Sequence, residues 1–200
     1  MRANFIDETR NVMDKELFKG EQILWAGQPE TSVLFTKIDL FLVPFSFLWC
    51  GLAFAWELGV LIFVKETAPL VIFGLFGIPF VLIGLYVTFG RFFWKNAKKR
   101  RTYYAVTNKR VLVLTNVFNR RVQAEFIDRI PTINKSVRPD GIGTIRFGVL
   151  PSIATIAYEN TGMDFSTPLY EQNVPTFHDV KNAESVYNMV NEMRNTIHEK

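Results

Sequence analysis

The stretch from Leu40 to Phe93 constrains this chain more than any other feature. It carries two long apolar runs, and the second leads into Arg91, Lys95, Lys98, Lys99, Arg100 and Arg101. Runs of this length match the thickness of a bilayer, and basic residues prefer the cytoplasmic flank. The pattern predicts a transmembrane hairpin with both chain ends in the cytoplasm. The first crossing is expected from about residue 40 to 57. Asp39 and Glu57 bracket it, eighteen residues apart, or ~27 Å of helix against a hydrocarbon core of ~30 Å. Trp56 is placed at the outer interface as an aromatic anchor. Residues 58–64 stay apolar. They either continue the helix, drawing Glu57 inward, or lie along the interface; the interfacial Glu57 is the expectation. The second crossing is expected from about 69 to 90, with Pro69 in its first turn. Arg91 and Lys95 are expected to snorkel at the inner face, with Trp94 anchoring beside them. Gly74, Gly77 and Gly84, with Gly51 and Ala55 on the first helix, suit close helix approach and are compatible with a homo-oligomer.

The chain has 200 residues and a formal net charge of +4, from 23 basic and 19 acidic side chains. The placement of charge matters more than the total. From Arg91 to Arg110 there are eight Lys or Arg and no Asp or Glu. Such a flank satisfies the positive-inside rule and also attracts anionic headgroups. No base-reading helix accompanies it, so nucleic acid is not expected as a partner. Cys50 is the only cysteine, which excludes an internal disulfide. The first apolar run begins too late for a signal peptide, so no cleavage is expected. Asn134-Lys135-Ser136 fits a glycosylation pattern but falls on the cytoplasmic side of this scheme and is read as chance.

Outside the hairpin the periodicity changes. Residues 4–19 suit a short helix stopped by Gly20, and Ile23-Leu24-Trp25 reads as a short strand before a Gly and Pro turn. Tyr103–Thr107 and Arg110–Thr115 are β-branched and aromatic runs joined by Asn108-Lys109, a tight hairpin signal. Val122, Ala124 and Phe126 alternate with polar residues and predict a third strand with one wet face. Further strands are expected at Thr132–Arg138, Gly143–Phe147 and Ile153–Tyr158, with a turn at Pro139-Asp140-Gly141. Residues 159–175 read as loop, and Phe177 and Val180 as a last short strand. From about Asn182, the residues Ala183, Val186, Tyr187, Val190, Met193 and Ile197 form the apolar stripe of a helix, with Asp179 or Asn182 as its cap. Short, closely spaced strands indicate an antiparallel barrel or sandwich.

Several segments together resemble bacterial membrane proteins that carry a pleckstrin-homology (PH)-like domain. They are Gly20-Glu21-Gln22-Ile23-Leu24-Trp25 with Gly27 and Pro29, then Asp39 to Trp49, Phe76-Gly77-Ile78-Pro79-Phe80 and Gly84-Leu85-Tyr86. Tyr103 to Val111, Asp140 to Ile145 and Phe147-Gly148 continue the series. The resemblance covers most of residues 20–195. It implies an α+β membrane protein: a two-helix transmembrane hairpin plus a PH-like antiparallel β-barrel of seven strands, capped by a C-terminal α-helix, in a bacterial inner (plasma) membrane. The expected division is an N-terminal cytoplasmic segment at 1–38, the hairpin at 39–94 and the PH-like domain at 100–198. Phosphoinositide-binding relatives use a longer basic loop between the first two strands. Here that link is only Asn108-Lys109, so specific inositol-phosphate binding is not expected.

The search for catalytic groupings finds no nucleophile elbow and no P-loop. Gly141-Ile142-Gly143 lacks the third glycine of a dinucleotide fingerprint, and His178 and His198 have no ligand-spaced companions. No enzyme, cofactor or metal is expected. The expected function is a membrane-anchored binding or scaffold module that contacts a lipid or protein surface, with Arg100, Arg101, Lys109, Arg110, Arg120 and Arg121 as candidate contacts. The alternative is an oligomeric membrane-assembly or small transport component in which Glu57 faces a polar interior; a membrane-bound enzyme ranks third.

Overall fold

The computed structural model describes Thr9 and residues 12–64, 67–149, 159–163 and 174–198. The chain divides into two compact units. One holds the described residues up to Val33, those from Asn96 to Val149 and those from 174 onward. The other holds Leu34–Lys95 with residues 159–163.

In the first unit, the Asn108-Lys109 link closes a tight hairpin between β2 (Thr102–Thr107) and β3 (Arg110–Asn116). With β1 (Ile23–Gly27) and β4 (Arg120–Phe126) they form a four-stranded antiparallel sheet in the order β1-β2-β3-β4. The N-terminal strand therefore belongs to the same sheet as the C-terminal ones. A second antiparallel sheet contains β5 (Ile133–Val137), β6 (Gly143–Phe147) and β7 (Thr176–Val180). Helix α4 (Ala183–His198) follows. The carbonyl of Asn182 accepts its opening hydrogen bonds from Ser185 and Val186.

Register decides where each strand's side chains go. Tyr104 lies opposite Val113, and Val106 opposite Val111. These four point into a core completed by Ile145, Phe147, Phe177 and Val180 of the second sheet and by Ala183, Val186 and Val190 of α4. Tyr104 stacks on Phe177 with ring centroids 4.6 Å apart, and Phe147 meets Phe177 edge-on at 4.8 Å. Each fully buried side chain of this size contributes roughly 1.5–3 kcal/mol. Ala105 and Leu112, also opposite one another, point to the other face with Leu114. There Met13, fully buried, covers them with Val12 and Leu17 alongside. The middle of the sheet is thus buried on both sides, which explains the continuous apolar run Val111–Leu114.

Among the described residues the expected closed barrel is not formed: the two sheets are separate ladders. The break falls after β4, where a 3₁₀ turn (Ile127–Arg129) carries Ile127 and Ile130 into the core. Pro131 follows and has no N–H to continue a ladder. The strand expected at Ile153–Tyr158 lies outside the described residues. The helix expected at 4–19 is described only in part, and Val12–Asp14 are helical.

In the second unit, α1 (Asp39–Phe63) and α2 (Thr67–Leu85) pack antiparallel, and a π-type turn (Tyr86–Gly90) leads into α3 (Arg91–Arg100). Nothing in Leu58–Phe63 breaks a helix, so α1 continues past Glu57 and its 25 residues span ~37 Å. Contacts between the helices run in opposite chain directions. The Thr88 hydroxyl is 3.4 Å from the Ser46 carbonyl, Cys50 faces Gly84, and Glu57 faces Gly77. A methyl group at Gly84 would sit 3.2 Å from the Cys50 Cα, so this glycine permits the close approach. Gly51 has open space around it. The seam on α1 is instead Leu42, Ser46, Cys50 and Val60, all buried. Leu40, Leu48, Leu52, Leu61, Ile72, Leu75 and Leu82 point outward. Both helical stretches, Asp39–Phe63 and Val71–Arg100, are long and apolar enough to cross a membrane. Only 22% and 17% of their most apolar windows are buried, the reverse of a core helix in a water-soluble domain.

Candidate functional site

Basic side chains are the candidate contacts, and their surroundings sort them. Arg91, Lys95 and Lys99 recur at four-residue spacing and share one face of α3. All three are buried, at 0%, 2% and 4% exposure. Arg91 pairs with Asp39 and donates from Nε to the Val87 carbonyl at 2.7 Å. Asp39 also accepts from the N–H and hydroxyl of Thr36. Lys95 donates to the Leu34 carbonyl at 2.6 Å. Arg91 and Lys95, read from the sequence as snorkelling anchors, are buried, with Arg91 paired to the Asp39 carboxylate and Lys95 donating to a backbone carbonyl. Trp94 is half-buried, while Trp56 is exposed on α1.

Lys99 joins three segments of the sheet unit. Its ammonium donates to the carbonyls of Glu30 (3.0 Å) and Val33 (2.6 Å) and to Asp179 Oδ2 (2.6 Å). Asp179 itself holds a left-handed backbone, φ 51°.

Arg110, expected as an outward contact, is turned inward. Its Nε and Nη2 donate to Glu21 Oε1 and Oε2 at 2.9 and 3.0 Å. It also donates to the Glu16 carbonyl, and its guanidinium lies 3.8 Å from the Phe18 ring centroid. Burial pushes the Glu21 carboxyl up, but hydrogen bonds from Arg110, the Phe18 N–H and Thr107 outweigh it and hold the pKa below the usual carboxylate value. This pair ties the β2–β3 hairpin to the segment before β1. Its Nε and Nη2 are engaged within the protein and the side chain is buried, not directed outward.

The remaining candidates reach the surface. Arg100 is exposed, with Nε 3.4 Å from Asn96 Oδ1. Arg101 is exposed and donates to the Val117 carbonyl at 3.1 Å. Lys109 sits exposed at the β2–β3 tip and Arg121 on β4. Arg120 is 40% exposed and pairs with Glu16 at 2.6 Å. The Arg101–Val117 bond brings the end of α3 to the β3–β4 turn, and Arg120 and Arg121 open the strand that follows that turn. Phe118, at that turn, is 82% exposed. The sequence reading passed over Phe118, although an isolated aromatic in a polar, basic turn is a visible signal. It also passed over Thr36-x-x-Asp39 and the 91/95/99 spacing.

In the helical unit, Glu57 lies inside α1, which continues to Phe63. It is half-buried against Gly77, where a methyl group would collide with its carboxylate. Its Oε1 is buried with no hydrogen-bond partner. Among the described residues no three His, Cys, Asp or Glu side chains converge on a common point suited to a metal ion.

A family model described as Bacterial PH domain matches residues 42–194 of the chain. Searches of curated proteins and of solved structures found no match.

Proposed function

The chain belongs to the bacterial PH domain family, and on that premise we propose that it is a non-catalytic, membrane-anchored binding or scaffold module. Helices α1 and α2 cross the bacterial inner membrane as a hairpin, both chain ends are cytoplasmic, and the two-sheet domain contacts a lipid or protein surface at the inner leaflet. The observation that carries this reading is the outward-facing apolar surface of α1 and α2, in a chain whose other unit buries its own core. Tethering raises the effective concentration for any second membrane-bound partner, so weak contacts suffice. The test is alkaline carbonate extraction combined with accessibility of a C-terminal tag in intact cells and in lysed ones. Retention in the membrane with a tag reached only after lysis supports the proposal. Release by carbonate, or a tag reached in intact cells, refutes it.

A second reading is favoured by one observation, the Glu57 Oε1 left without a partner between two apolar helices. Polar groups placed in hydrocarbon are costly and mark function. In this reading the hairpin assembles or conducts through Glu57, and Glu57→Gln alters oligomer size or ion leak in reconstituted vesicles. Unchanged assembly and leak would remove it.

A further inference from the structure

We propose that Glu57 is a proton-binding site inside the helix hairpin, its carboxyl held as the neutral acid in a niche that Gly77 leaves open on α2. The inference rests on the second reading above, in which Glu57 acts within the hairpin, and it names the ligand as a proton.

Three observations converge. The first is the fit of the niche. A methyl group at Gly77 would collide with the Glu57 carboxyl, and one at Gly74 would lie 3.9 Å from Oε2. Gly77 therefore makes the room that the carboxyl occupies, and Gly74 borders it. The second is closure: Oε1 is buried and has no hydrogen-bond partner. The third is the lack of a counter-charge on the packed helices. Helix α2 carries no charged or titratable side chain. On α1 the other charged residue is Asp39, ~27 Å away along the helix, and it pairs with Arg91. Cys50, the remaining titratable group of α1, faces Gly84 instead. Lys65 and Glu66 belong to the link between the helices and lie outside the described residues.

These facts select a proton over other ligands. A carboxylate with no donor in an apolar seam bears the cost of its charge uncompensated, and a group so placed neutralises instead. A metal ion requires several ligands, and among the described residues no three His, Cys, Asp or Glu converge to supply them. A lipid headgroup or a second helix would have to open the seam to reach the buried Oε1. A proton needs no such room. Glu57 also lies six residues before Phe63, the end of α1, or ~9 Å of helix. Under the proposed anchorage that depth places it within hydrocarbon, where an ionised carboxylate is most costly.

The experiment uses the full-length protein reconstituted in vesicles at neutral pH and read by infrared spectroscopy, which separates the carbonyl stretch of a neutral carboxylic acid from carboxylate bands. Ordinary Asp and Glu side chains are ionised at this pH, so they do not contribute to the neutral-acid band. The expected result is a neutral-acid band in the wild type that is lost in Glu57→Gln, with the helical amide bands unchanged. Gly77→Val, which fills the niche, is expected to remove the band as well. Gly59→Val, where an added Cβ meets open space, is expected to keep it. Identical spectra of wild type and Glu57→Gln in the neutral-acid region overturn the proposal, and so does loss of a carboxylate band in that variant. A band that survives Gly77→Val overturns the niche. Oligomer size and ion leak of the same samples separate this proposal from the reading it rests on. A band lost in Glu57→Gln with assembly and leak unchanged keeps the proton site and removes that reading. Altered leak with no neutral-acid band in the wild type keeps that reading and removes the proton site.

Discussion

The two units of this protein are built inside out relative to each other. In the sheet unit, Tyr104, Phe147 and Phe177 fill the centre and most charges stay at the surface. In the helical unit, Leu40, Leu52, Leu61 and Ile72 point outward, while Asp39, Ser46, Thr88 and Arg91 are buried in the seam. Under the proposed membrane anchorage the same rule gives both results: apolar side chains face a hydrocarbon solvent, and polar ones then find each other inside. Each unit also holds a buried arginine, and the two differ in how completely they are satisfied. Arg110 has a two-oxygen carboxylate, a carbonyl and an aromatic face. Arg91 has Asp39, the Val87 carbonyl and the Phe92 ring, but its Nη2 is left without a partner. Buried charge is affordable in either unit only as part of a network, and the network is tighter where the surroundings are water-facing sheet.

The sharpest way to break the contrast is to remove Arg110. Arg110→Ala strands the Glu21 carboxylate in a buried site, and about 3–5 kcal/mol of stability is expected to be lost. Denaturant unfolding of the detergent-solubilised protein measures it; a loss under 1 kcal/mol would mean that the pair is not a structural tie. Next is the helix seam. Gly84→Leu forces α1 and α2 apart at Cys50, with an expected cost of about 1–3 kcal/mol. Gly51→Leu, which meets open space, is the matched control, so equal effects of the two on thermal midpoint would disprove the seam.

A smaller effect is expected from pH. The Glu21 and Glu30 carboxyls titrate below their ordinary 4.5 in the folded protein. Their contribution is therefore complete above that value and fades as pH falls through the folded pKa values. Stability measured against pH is expected to drop on the acid side of 4.5, and the drop is expected to be shallower in Glu21→Gln. An identical acid slope in that variant would assign the loss to other groups. The least effect is expected at Arg120, whose pair with Glu16 is partly exposed. Arg120→Gln is expected to cost no more than ~1 kcal/mol, and a larger loss would make it a buried tie like Arg110.

Much of the sheet unit was legible because local signals there agree with the final packing. Asn108-Lys109 and Pro139-Asp140-Gly141 mark turns that the backbone adopts, with Gly141 at φ 77° and the Asp140 carboxylate accepting from the Ile142 N–H. The stripe from Ala183 to Val190 named the buried face of α4. Alternation misled at β4, where Ala124 and Phe126 are exposed and Val122 packs on the N-terminal segment. The covering of that outer face by Met13 was not legible, since nothing in a short leader says which distant strands it will meet. The inward turn of Arg110 was hidden for the same reason: its partner Glu21 lies 89 positions away.

Runs of apolar residues long enough to match hydrocarbon, and turn residues that force the chain to reverse, determined the helices, the strands and the family. These are local properties, set by transfer free energy and backbone sterics along a few consecutive residues. Only the tertiary structure decided which charges are buried, where the sheets part, and that Arg101 at the end of α3 meets the β3–β4 turn. Those outcomes depend on groups far apart in the chain, and proximity in space is created by folding itself.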